Sequence, residues 1–109
     1  MKLDVVRRFA LSLPEATEAP HFHYASFRVR GKIFATAPPD GEHLHVFVGD
    51  DERDVALAVA PACVENLLWG GRVVGVRVLL ARASPSLVQR LLSRAWARKA
   101  PKRLVKGLT

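Results

Sequence analysis

The sequence predicts an α+β two-layer sandwich: a mainly antiparallel five-stranded sheet with helices on one face, in the order α-β-β-β-α-β-β-α. Three observations predict it. Apolar residues recur at helical spacing near both ends of the chain, they alternate with polar residues in the middle, and tight-turn dipeptides separate the alternating runs. Strands joined by such turns run antiparallel. Amphipathic helices on one side leave the other side of the sheet to water or a partner.

Residues 1–13 form the first helix, because Val6, Phe9, Ala10 and Leu13 fall at i, i+3, i+4 and i+7, and Pro14 ends it. Over residues 24–37 the period shortens to two. Phe27 and Val29 point one way, Ser26, Arg28 and Arg30 the other, and Gly31 marks the turn of a hairpin. Pro38-Pro39-Asp40-Gly41 is a turn signal, after which Leu44, Val46 and Val48 alternate with His43, His45 and Phe47 in a third strand. Gly49 precedes a short helix whose first turn carries Asp50, Asp51, Glu52 and Asp54 at the positive end of the helix dipole, and Pro61 stops it. Those acids suit capping better than metal binding. Two strands at 64–69 and 73–80 flank Gly70-Gly71, a favoured hairpin turn. Ser84 and Pro85 then supply an N-cap and a first-turn proline for a helix that packs Leu87, Val88, Leu91, Leu92, Ala95 and Trp96 before Pro101 closes it.

At 109 residues the chain is sized for one domain, 1–109, and half of its residues are apolar, too many for a disordered chain. Cys63 has no second cysteine to bridge to and no neighbour at metal-ligand spacing, so it reads as a small buried hydrophobe in a reducing, cytoplasmic setting. Asp4, Arg7 and Arg8 interrupt the first apolar stretch, so neither a secretion signal nor a membrane span is expected. Arginine outnumbers lysine, and Asn66 and Gln89 are the only side-chain amides, as GC-rich coding or a thermophilic source would produce.

Charge is the most informative compositional feature. Residues 1–65 carry seven Lys/Arg against ten Asp/Glu, whereas residues 66–109 carry ten Lys/Arg and no acid. A polyanionic partner is the expectation. If Phe27, Val29, Val46, Val48, Val74, Val76, Val78 and Leu80 face the helices, then Arg28, Arg30, His43, His45, Phe47 and Arg77 share the opposite face. A cationic face bearing rings suits single-stranded nucleic acid, whose phosphates pair with arginine and whose bases stack. The bland alternative is that Phe47 closes a minor core and the arginines solvate the face. Arg90, Arg94 and Arg98 add a stripe at i, i+4 spacing on the last helix, followed by Lys99, Lys102, Arg103 and Lys106. Like-charge pairs at that spacing cost roughly 0.2 to 0.5 kcal/mol each. Cations near a helix carboxyl end return about 0.3 to 1 kcal/mol. Stability therefore does not decide what the stripe is for.

His21 with His23, and His43 with His45, each place two imidazoles on one side of an extended segment, and four such rings could hold zinc or copper if the segments adjoin. HxH pairs arise easily by chance, and no metal is expected. A catalytic site is not expected either, since there is no G-x-S-x-G elbow, P-loop or G-x-G-x-x-G fingerprint, and Gly70-Gly71-Arg72 fits a hairpin. A deep pocket lined by Glu18, His23 and His45 would argue otherwise.

Leu13-Pro14-Glu15-Ala16-Thr17, then Phe27-Arg28-Val29-Arg30-Gly31-Lys32-Ile33-Phe34-Ala35, then Trp96 followed by Ala100-Pro101-Lys102-Arg103-Leu104, resemble in order and spacing the YjbR/MmcQ family. The resemblance implies a fold akin to the frataxin-like and secretion-chaperone-like sandwiches and a family label of DNA-binding protein, with no established reaction and no cofactor. The chain departs from the pattern at His21, His23 and Tyr24 and in the short loop at 38–42. A frataxin-like iron role would need a carboxylate ridge on the first helix, where only Asp4 lies. The expectation is a non-enzymatic module that binds DNA or RNA electrostatically through Arg28, Arg30, Lys32, Arg72 and Arg77 on the sheet and Arg90, Arg94, Arg98, Lys99, Lys102 and Arg103 at the carboxyl end. No helix-turn-helix, zinc-finger or RNP signature calls for base-specific readout. The competing expectation is a chaperone-like module that docks a protein segment on the same face.

Overall fold

A computed structural model describes residues 1–108. Helix α1 (Leu3–Ser12) is followed by β1 (Ala16–His21), β2 (Tyr24–Val29), β3 (Lys32–Ala37) and β4 (His43–Val46). Then come α2 (Asp50–Val59), β5 (Val64–Trp69), β6 (Arg72–Leu79), a 3₁₀ turn (Leu80–Arg82), α3 (Pro85–Lys99) and α4 (Lys102–Leu108). The six strands form one antiparallel sheet in the order β1-β2-β3-β4-β6-β5. Among the described residues no helix is long and apolar enough to cross a membrane.

The α+β sandwich is as expected, with two additions. The sheet has six strands rather than five, because Ala16–His21 pairs with β2 along its whole length. Its sequence, with two alanines, Glu18 and Pro20, carries none of the β-branched alternation that marks the other strands, and proline is tolerated there because the strand is an edge. Pro101 does end α3, yet a further helix starts immediately after it, and Leu104 and Val105 pack against the core.

The hairpin turns follow their sequence. Both Arg30-Gly31 and Gly70-Gly71 have positive φ, as two-residue hairpins of the primed type require. In α3 the Ser84 hydroxyl accepts a hydrogen bond from the Leu87 amide at 3.2 Å, and Pro85 sits in the first turn. The start of α2 differs from expectation. No side chain caps it, and its acids reach arginines instead: Asp50 accepts from Arg53 at 2.7 Å, and Glu52 accepts from Arg90.

Helices α1 and α3 cover one face of the sheet, and a single buried cluster lies between the layers. Trp96, Phe27, Phe34, Leu44, Leu80, Leu91 and Leu92 are its largest fully buried members. Phe27, Val29, Val46, Val48, Val76, Val78 and Leu80 all join it. Val74 does not. Leu67 pairs with Gly75 and Leu68 with Val73, so Val74 is the extra residue of a bulge and loses the core-facing phase.

Candidate nucleic-acid interface

On the side of the sheet away from the helices, strand alternation brings together Arg28 of β2, Thr36 of β3, His45 of β4, Arg77 of β6 and Trp69 of β5. The register aligns them across strands: Ser26 with Thr36, Thr36 with His45, His45 with Arg77, and Arg77 with Glu65. By this register, Glu65 is the only carboxylate at a strand position of that face. The centre of the face is not open to water. Ser26, Thr36 and His45 are buried, as are Phe47 and Leu67, both of which stand outside the main core. Phe47 thus closes a minor core, packing edge-on against Trp69 with ring centres 5.1 Å apart.

The predicted basic residues divide into three groups. Arg28 and Arg77 are half-buried on this face. The Arg28 Nε donates to the Ser26 hydroxyl at 3.0 Å, and that hydroxyl donates to the Ala19 carbonyl at 2.7 Å. Arg77 stands 3.6 Å from Glu65, too far for a hydrogen bond. Arg72 is exposed opposite Trp69, and Lys99 is half-buried at the rim. Among the described residues neither has an acidic partner, and the same holds for the exposed Lys32 and Lys102.

A second group lies elsewhere. Arg30 was expected on the sheet face but occupies the β2–β3 turn, where it pairs bidentately with Glu15 and, through that hydrogen bond, holds the Glu15 carboxyl below its usual range, with Arg103 assisting. The third group is the α3 stripe. Arg90 and Arg94 converge on Glu52 at 3.1 and 3.4 Å, and Arg98 donates to the Phe47 carbonyl at 2.7 Å. The stripe therefore lies in the helical layer against the acidic start of α2, not beside the sheet face.

The four histidines take separate places. His43 pairs through Nδ1 with Asp40 at 2.8 Å, and Asp40 is held acidic chiefly by the backbone amide of Glu42. Among the described residues, Asp40, Glu42 and His43 form the only convergent group of three metal-ligating side chains. His23 and Glu18 share a shallow surface hollow without His45, so the pocket that would have suggested an enzyme does not form from those three.

His45 is 3 % exposed and neither ring nitrogen has a protein partner. Burial, reinforced by Arg77 and His43, depresses its pKa to about 4, outweighing Asp40 and Glu65, which act the other way. The folded state thus keeps the ring neutral at pH values where the unfolded chain, near 6.5, binds a proton. Stability is fully present above about pH 6.5 and is lost as pH falls toward 4, by about 2 kcal/mol at pH 5 and about 3 kcal/mol at pH 4. Urea unfolding of the wild type and of His45→Leu between pH 7.5 and 4 measures this. The variant should lack that slope and be no less stable at pH 7.5, and parallel pH profiles would refute the assignment.

Beside this buried row the face sinks into a cleft of about 190 Å³, lined by His21, Ile33, Thr36, Phe47, Trp69 and Lys99. Trp69 and Thr36 were not singled out from the sequence. A tryptophan next to Gly-Gly at a hairpin tip was the available signal, since such a residue has little core to enter.

A family model described as YjbR matches residues 11–98 of the chain. No curated protein and no solved structure matches it.

Proposed function

The chain belongs to the YjbR family, and from that premise we propose that it is a nucleic-acid-binding module that takes single-stranded DNA or RNA on its sheet face, electrostatically and with little sequence preference. The observation that carries the reading is the composition of that face. Arg28, Arg72, Arg77 and Lys99 surround exposed and half-exposed rings, and Glu65 is the only carboxylate among its strand positions. Guanidinium groups neutralise phosphates while rings accept bases of any identity, which is how sequence-tolerant single-strand binders work.

The α3 stripe has a smaller part in this reading than its sequence suggests, because Arg90 and Arg94 are both engaged by Glu52, whose carboxylate offsets one of their two charges. Four phosphate contacts on a single strand give a log–log salt slope of roughly −3, or roughly a 50-fold loss of affinity between about 50 and 200 mM salt. Fluorescence anisotropy with a labelled single-stranded oligonucleotide measures it. Arg28→Gln with Arg72→Gln should bring the slope to about −1.4, whereas Arg90→Gln with Arg94→Gln should leave it unchanged. Absence of binding at low salt refutes the proposal. In that case a protein segment docked on the apolar parts of the face is the alternative to test.

A further inference from the structure

The cleft on the sheet face has the make-up of a site for one flat, hydrogen-bonding ring. Phe47, itself buried, packs against Trp69 at 63° and so braces that ring, against which a third ring can lie flat. Trp69 is 47 % exposed, leaving its ring available at the mouth. At the floor, Thr36 is 1 % exposed and its hydroxyl has no protein partner. Its cross-strand neighbour His45 has two more unpartnered nitrogens. Folded proteins seldom leave such groups unpaired, and one that lines a cleft can be satisfied by what enters it. Lys99 is the only lysine or arginine in the lining, which contains no carboxylate.

The volume narrows the choice of ligand. Pockets that engulf a whole small molecule run to roughly 300–1,000 Å³, so this one admits a single ring system and leaves the rest of its ligand outside. We infer that the cleft holds one unstacked base of the bound strand, with the Trp69 ring, braced by Phe47, as the stacking wall, Thr36 bonding the base edge and Lys99 meeting the adjacent phosphate. The inference rests on the nucleic-acid reading above and adds to it a defined base site. Base contacts then contribute affinity that backbone charge alone does not.

The test compares a short labelled oligothymidine with a fully abasic strand of the same length and charge, by anisotropy at fixed salt. The base-bearing strand should bind roughly 5- to 150-fold tighter, the range expected for one stacked base. It should also quench Trp69, while Trp96, buried in the core, reports that the fold is intact. In Trp69→Leu the preference should vanish, and in Thr36→Val it should shrink. Phe47 is buried, so its variants are avoided. Equal affinity for both strands, with steep salt dependence retained, overturns the cleft and leaves electrostatic binding standing. A full preference persisting in Trp69→Leu overturns the location. Failure of both strands to bind at low salt overturns both readings.

Discussion

Gly75→Ala is expected to destabilise the protein by about 3 kcal/mol or more, enough to leave a domain of this size marginal. Gly75 lies within β6 opposite Leu67, with no unusual φ, so conformational freedom is not why glycine is there. Space is the reason. A Cβ at this position would overlap the Val46 carbonyl oxygen and stand 3.0 Å from the Phe47 Cα. The chain leaving β4 folds tightly over Gly75, the Val48 amide returning to the Val46 carbonyl and the Phe47 amide bonding Phe34 in β3. Backbone held on both sides cannot retreat as a side chain would, so the overlap must be relieved by separating β4 from β6. Thermal and urea unfolding measure the loss. Gly49→Ala is the contrast, since its Cβ would meet only the flexible Arg98 side chain, at 3.6 Å. It should cost less than about 1 kcal/mol, mostly through the weaker N-cap. Equal stabilities for the two variants would show that the crossing is not tight.

Trp96→Ala is expected to cost about 3 to 5 kcal/mol, the range for deleting a fully buried large aromatic. Trp96 is completely buried on α3, and its indole N–H donates to the Pro14 carbonyl at 3.0 Å, across 82 residues of sequence. One side chain therefore fills the centre of the core and fastens the end of α1 to the far helix. Trp96→Phe separates the two roles. It keeps most of the apolar volume and loses the donor, leaving a part-buried carbonyl unpaired at a cost of roughly 1 kcal/mol beyond that of the small cavity. A Phe variant as unstable as the Ala variant would assign the whole effect to the hydrogen bond, and an unperturbed one would assign it none.

Three of the helices and five of the strands were legible because burial imposes a period on them, whereas α4, too short to show a period after Pro101, was not. Val6 and Ala10 in α1 with Leu13 just after it, and Leu91, Leu92, Ala95 and Trp96 in α3, are buried at the spacing their sequence shows. β1 was illegible because an edge strand needs only a partner backbone, and Thr17-Glu18-Ala19-Pro20 has no apolar face to declare itself. The site was legible as a basic face but not in its anatomy. Alternation tells which way His45 and Phe47 point, not that Tyr24, Trp69 and their neighbours close over them. The union of Arg90 and Arg94 with Glu52 leaves no local trace, since the partners are about 40 residues apart and belong to different helices. Thr36 joins the cleft through tertiary placement beside Phe47 and Trp69, which its own strand does not announce.

The two outer strands also govern how this sheet meets other copies of itself. An unpaired edge is a template for further strands and hence for fibrils. β1 presents Pro20, which has no N–H to offer a newcomer, and β5 carries a charged Glu65 and a bulge between Leu67 and Leu68 that breaks the flat run of donors and acceptors. The features that hid β1 from a propensity reading are the same ones that stop the sheet at six strands. A border with proline on one side and a charged, bulged strand on the other thus offers a second copy of the chain few backbone partners with which to extend the sheet.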